Sequence, residues 1–215
     1  MKTKILIVIV ILCSIAGIAI GSKKCIYGID LSHHNKLNSK DIQVLKNKHD
    51  IKYVYLKVSE GTSFKDPKFN YYYRICKQNK LLIGGYHFYR DDCSPEKQFN
   101  NFIKASKNYK FDLIPVIDFE EKGFNKTYSK YDRLENLRQL ALLFWDYYGV
   151  YPIIYCSPGV YYLSYPEIRQ IANTFWISGG FRLNSFMLQK QIMYNEQEID
   201  FNSTYSLSRY KLNVR

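Results

Sequence analysis

From Cys25 onward, short runs rich in β-branched and aromatic residues alternate with helical segments, and this alternation constrains the fold more than any other feature. The strand-like runs are CIYGID, IKYVYLKVSEG, LLIGGYHFYR, FDLIPVIDFE, YPIIYCS, FWIS, FMLQKQI and QEIDFN. Between them, NSKDIQVLKNKHD has Asn38 or Ser39 as an N-cap and Ile42, Val44 and Leu45 as its apolar stripe. DPKFNYYYRICKQNK is expected to carry Pro67 in its first turn, and SPEKQFNNFIKASKN opens with a Ser94 cap and Pro95. SKYDRLENLRQLALLFWDYYG, the longest helix, stops at Gly149. Such connections favour right-handed crossovers and a parallel sheet. Eight strand candidates predict an α/β fold, a small (β/α) barrel of about eight strands. The second half is too short for full units, so its helices must be reduced. A doubly wound open sheet is the competing architecture.

The first 22 residues stand apart. Lys2 and Lys4 precede an uncharged apolar run from Ile5 to Ile20, and Ala19 and Gly21 provide a small-residue cleavage pattern. That order is the signature of a secretory signal peptide, which predicts a protein outside the cytoplasmic membrane. The apolar run is short for a spanning helix, so an uncleaved membrane anchor is the second choice. No lipid-attachment motif precedes Cys25. Residues 23–215 remain for one domain of ordinary size.

The formal charge is +12, which for an exported protein favours polyanionic partners such as a bacterial wall. No nucleic-acid-binding motif accompanies it, and the bases are scattered, as on an ordinary solvated surface. Outside the leader lie Cys25, Cys76, Cys93 and Cys156, an even number that permits two bridges without specifying them. Cys156, within an apolar run, also reads as a simple buried thiol. The 21 tyrosines suit both a core with wet edges and a carbohydrate-binding surface.

Function in β/α folds collects at the carboxyl ends of the strands. Those ends carry Asp30 in YGIDLSHHN, Lys57 and Glu60 in YLKVSEG, Tyr86 and His87 in GGYHFYR, Asp118 and Glu120 in VIDFE, and Asp200 in EIDFN. Alternation turns Asp118 and Glu120 to one face and Phe119 to the other. Glu121 then falls on the opposite face and begins a loop. Two carboxyls crowded in a barrel mouth raise one another's pKa, which leaves one acid to donate a proton and one anion to stabilise charge, the requirement of glycoside hydrolysis. Alone, a D-x-E triplet is as well explained by caps or surface ion pairs. Asp30 and Asp200 at equivalent strand ends favour the site.

Taken together, GIDLSHHN, YVYLKVSEGTSFKDPKF, IGGYHFYR, LIPVIDFE, YPIIYCS and IDFN resemble the lysozymes of glycoside hydrolase family 25, in order and spacing, from Tyr27 to Asn202. The resemblance implies an irregular, flattened β/α barrel that cleaves the β-1,4 bond between N-acetylmuramic acid and N-acetylglucosamine in peptidoglycan. It implies Glu120 as general acid, with Asp30, Asp118 and Asp200 as the other acids of the site. Asp118 would steady the substrate's acetamido group in a retaining, substrate-assisted route. The chain is expected to act as a monomer without a cofactor.

Lys57, Tyr86, Tyr155 and Gln189 are candidate substrate contacts. For Lys57 a plain salt bridge, and for the tyrosines core packing, are the alternatives. A metal on His33, His34 and His87 would need three or four convergent ligands, and the resemblance places none there. His87 reads as a core histidine. One departure stands out: the Trp-Gln usual near the seventh strand is Leu188-Gln189 here, which removes a sugar-stacking aromatic. Two alternatives to a muramidase stay open. One is a non-catalytic wall-binding protein on the same fold; the other is a hydrolase of another N-acetylglucosamine polysaccharide.

Overall fold

A computed structural model describes residues 25–212 apart from 164–166, 173, 180–186, 195–196 and 205, and only the backbone of 163, 187–194 and 209. The leader lies outside the described residues. Nine strands form one sheet: β1 (Ile26–Leu31), β2 (Ile51–Glu60), β3 (Phe64–Lys65), β4 (Leu82–Phe88), β5 (Val116–Asp118), β6 (Ile153–Cys156), β7 (Phe175–Ser178), β8 (Met187–Tyr194) and β9 (Gln197–Thr204). The helices are α1 (Ser39–His49), α2 (Phe69–Gln78), α3 (Pro95–Ser106), α4 (Lys130–Tyr148) and the short α5 (Pro158–Leu163). The sheet order is β1-β9-β8-β7-β6-β5-β4-β2-β3, and β1 also pairs with β2. That second pairing closes eight strands into a barrel and excludes the open doubly wound sheet.

Two features depart from a regular (β/α) barrel. The pairings from β1 through β2 and β4 to β8 are parallel, but β9 is antiparallel to both neighbours. Only residues 195–196 separate β8 from β9, enough for a hairpin and far too few for a crossover. The additional strand, β3, is a two-residue appendage hydrogen-bonded to the end of β2. It is too short to show a period.

Caps set the helix starts. The Asn38 side chain accepts the Lys40 and Asp41 N–H groups while the Asp41 carboxylate accepts that of Asn38, a reciprocal capping box. Ser94 and Ser129 cap α3 and α4, and Gly149 ends α4 at φ 71°. The expectation for Pro67 is corrected. It lies ahead of α2, whose N-cap is Lys68, and the start is braced by the Asp66 carboxylate accepting the Lys68 N–H at 2.9 Å.

One core lies between the helices and the outer face of the sheet. The other fills the barrel, where Tyr53, Tyr55, Val116, Ile153 and Trp176 meet, with Tyr210 below them. Two glycines make this filling possible. A Cβ on Gly28 would lie 2.3 Å from the Tyr53 ring, and one on Gly84 2.2 Å from the Tyr55 ring. Neither ring can yield, because both side chains are wholly buried. Gly84→Ala is therefore expected to destabilise the fold by about 2 kcal/mol, in the range of overpacked cores, read as a lowered denaturation midpoint. An unchanged midpoint would mean that the barrel interior is not packed this way.

Candidate active site

A cleft of about 560 Å³ opens at the carboxyl ends of the parallel strands. Asp30, Lys57, Glu60, Tyr86, Asp118, Glu120, Tyr155 and Asp200 all line it. The structure thus brings together every proposed site residue except Gln189, whose side chain is outside the description. The Gln189 backbone lies on β8, the seventh of the strands expected from the sequence, and pairs with Ser178 of β7 and Asn202 of β9.

The acids come from three parts of the sheet, β1, the end of β5 and β9. Beyond β5 the chain stays extended, with Glu120 at φ −130° and ψ 162°, so alternation persists from Asp118 to Glu120. Phe119 turns away and packs on Tyr89 and Phe124, at ring separations of 5.1 and 4.7 Å. Glu121 leaves the cleft, starts a 3-10 turn and accepts the Ser157 hydroxyl at 2.8 Å. Asp200 reaches the mouth differently from expectation. It sits not at the end of a parallel strand but within antiparallel β9, whose register sets it directly opposite Asp30. Two like charges in that relation are costly unless a proton is shared.

Lys57 and Glu60 are three apart in β2, a spacing that would normally put them on opposite faces. A register shift between Lys57 and Ser59 re-aims the strand so that both enter the cleft. The buried Lys57 ammonium lies 2.7 Å from Glu60 Oε2 and 4.8 Å from the centre of the Phe88 ring. Glu60 Oε1 in turn accepts Arg90 Nη2 at 2.6 Å. Burial alone would raise the Glu60 pKa, but Lys57 and Arg90 hold it below the usual range. Lys57 is thus salt-bridged and still lines the acid site.

Burial pushes the Asp30 carboxyl well up, with Asp200 adding to the effect, while a 3.0 Å hydrogen bond from Asn202 Nδ2 works against it. Asp118 is raised well above the carboxylate range by burial first, then by Glu120 and Asp30. Glu120 is also raised, by burial; Glu121 and Asp200 add to this and Lys122 and Lys57 offset it. Asp118 and Glu120 titrate as a pair rather than singly. Asp118 Oδ1 is buried and has no hydrogen-bond partner among the described residues. An unpartnered buried acceptor is expensive, and in a cleft it marks a place for a ligand's donor.

The Glycosyl hydrolases family 25 profile matches residues 29–184, a span that includes Asp30, Asp118 and Glu120. The chain belongs to glycosyl hydrolase family 25. An N,O-diacetylmuramidase of Arthroderma benhamiae is 34% identical over 120 residues, 50% of this chain and 48% of that protein. The uncharacterized YegX of Escherichia coli K12 is 27% identical over 109 residues, 50% of this chain and 40% of its own length. The chain therefore matches only about half, or less, of these curated relatives. Among solved structures, a family 25 glycosyl hydrolase from Bacillus anthracis superposes with TM-score 0.68 at 24% identity, covering 86% of this chain and 90% of the other. A bacterial lysozyme from Streptomyces coelicolor gives 0.70 at 18% identity, covering 86% and 94%.

Asp200 lies beyond the segment matched to family 25, so its place in the site rests on the β1–β9 register. Sequence reasoning on this family 25 chain passed over Trp176, which lines the cleft, and Asn202, which lies behind the lining and holds Asp30. Trp176 lines the cleft, with its ring centre 5.2 Å from Tyr155 and 5.3 Å from Tyr55. Alternation within FWIS, with Phe175 on the outer core, was the available signal. Asn202, the partner of Asp30, lies two residues after Asp200 and hence on its face. Of the histidines, His34 lines the cleft. His87 is buried between Ser59 Oγ at 2.8 Å and Gln98 Oε1 at 3.1 Å, and burial lowers its pKa to about 4. His33 Nδ1 lies 2.7 Å from Asp66 Oδ2. Among the described residues no three His, Cys, Asp or Glu side chains converge as metal ligands, and all four cysteines are free thiols.

Proposed function

We propose that the chain is an exported lysozyme that hydrolyses the β-1,4 bond between N-acetylmuramic acid and N-acetylglucosamine in peptidoglycan, acting as a monomer. The observation that carries this reading is the pair formed by Asp118 and Glu120, one with an unpartnered buried oxygen and both with raised pKa. Protonated Glu120 donates to the glycosidic oxygen as the bond to the anomeric carbon breaks. The acetamido oxygen of the same sugar attacks that carbon, and Asp118 Oδ1 accepts the acetamido N–H and offsets the positive charge that develops. Water, deprotonated by Glu120, then opens the cyclic intermediate with net retention. Burial favours the proton on Asp118 before substrate binds; the incoming N–H favours its anion and so moves the shared proton to Glu120. Asp30 and Asp200 form the polar floor beneath the sugar, with Asn202 hydrogen-bonded to Asp30 behind it. Tyr86 and Tyr155 contribute contacts to the sugar.

Export is supported by the leader, and a muramic acid substrate by the names of the relatives. The test is clearing of a purified wall suspension by protein recovered from the medium. Mass spectrometry should find new reducing ends on muramic acid and an intact mass lacking Ile5–Ile20. Reducing ends on N-acetylglucosamine would refute the bond assignment. A mass retaining the apolar run would refute cleavage of the leader.

A further inference from the structure

A second depression of about 390 Å³ adjoins the acidic cleft, lined by Arg90, Asp92, Gly123, Phe124, Asn125 and Lys126. Arg90 lines both hollows and forms the ridge between them. The ridge is anchored: Arg90 holds Glu60 through Nε and Nη2 and donates from Nη1 to the Lys122 carbonyl at 3.2 Å. The floor is anchored too. Buried Asp91 accepts the Asn125 N–H at 2.6 Å and Arg133 Nε at 2.8 Å. The Arg133 guanidinium lies 4.3 Å from the Phe124 ring centre. A Cβ on Gly123 would come within 2.1 Å of the Tyr89 carbonyl oxygen. The depression is therefore preformed, and preformed concavities lose little ordering entropy on binding.

Its chemistry differs from that of the cleft. Lys126 is an exposed cation in the lining, Lys122 is an exposed cation on the wall of the adjoining cleft, and Asp92 is the one acid among the lining residues. Asn125 Oδ1 is occupied by the Thr127 N–H and hydroxyl, which leaves its amide N–H groups as donors. The combination suits a ligand with carboxylates, peptide carbonyls and a small methyl. We propose that this depression binds the acidic stem peptide borne by the lactyl group of the muramic acid residue, while the glycan occupies the acidic cleft. The proposal rests on the lysozyme reading for the identity of the polymer. A stem peptide leaves the glycan sideways at the sugar being cleaved, so a site sharing a wall with the acids is where it would fall.

The experiment compares wild type and Lys126→Glu on peptide-bearing wall fragments and on the same glycan stripped of peptide by an amidase. Reversing this charge is expected to lower kcat/KM about fivefold on the peptide-bearing substrate, as exposed charge pairs allow, and to leave the stripped glycan unaffected. The difference should shrink at high salt. In parallel, N-acetyl-L-alanyl-γ-D-glutamyl-diaminopimelyl-D-alanine is titrated into wild type and followed by amide chemical shifts, which should move at Gly123–Lys126. Equal loss on both substrates, no loss on either, or shifts that avoid this loop would overturn the proposal. The titration needs no turnover. A wild type that cleaves neither substrate yet binds the peptide here would refute the lysozyme reading alone.

Discussion

Glu120→Gln is expected to lower the rate of glycan hydrolysis by about 10²–10⁴-fold, the usual contribution of a general acid, with the melting temperature unchanged. The amide keeps the volume and one acceptor of the carboxyl but has no proton to deliver. Folding is spared because Glu120 stands at the cleft rim, ahead of the 3-10 turn Glu121–Gly123. The same residue sets a pH limit. Burial raises its pKa, so the protonated, competent form survives to higher pH than for an ordinary glutamate, and activity is lost as pH rises through the raised value. The variant's residual activity should lack that alkaline limb. Lysis at the native rate by a folded Glu120→Gln protein would remove Glu120 from the role of acid.

Asp118→Asn is expected to cost nearly as much, about 10²–10³-fold, whereas Glu121→Gln should leave the rate within twofold of native, roughly the scatter of surface substitutions. In the proposed route the Asp118 anion offsets positive charge on the acetamido group, in a site too dry for water to do so. Asn retains a hydrogen-bonding oxygen and loses the charge, so the loss should appear in kcat, with KM for wall fragments largely retained. Glu121 touches Ser157 instead of the cleft. The three variants assayed together, with melts to verify folding, test the facing of one short strand. A silent Asp118→Asn or an inactive, folded Glu121→Gln would overturn the site assignment.

That facing was legible in the sequence because a period of two survives from Val116 to Glu120. The capping residues Ser94 and Gly149 were legible for the same local reason. Features that depend on pairing were not. Alternation places Asp200 and Asn202 on one face but carries no strand direction; β9 is antiparallel because only two residues separate it from β8, and Asp200 meets Asp30 through that register. The shift between Lys57 and Ser59 is likewise invisible in β2, since a bulge exists only against a partner strand. Pro67 looked like a first-turn proline, yet Asp66 is committed to His33 as well as to the Lys68 N–H, which delays the helix to Phe69. Trp176 was read only as strand, although its neighbours decide that it enters the cleft.

The pairing of β1 with β9 has a consequence for the order of events in the life of the molecule. The Asn202–Asp30 hydrogen bond spans 172 positions, among the longest closures in the chain. Contacts so distant form late, since the entropy of closing the intervening chain must be overcome first. Three of the four acids can be synthesised and even folded locally while the cleft still lacks one wall and half its floor. Competence to cut a glycan thus arises with the final seam of the barrel, and a polypeptide halted before β9 would be an incomplete tool. If the chain is the wall hydrolase proposed above, the geometry couples the onset of activity to completion of the fold.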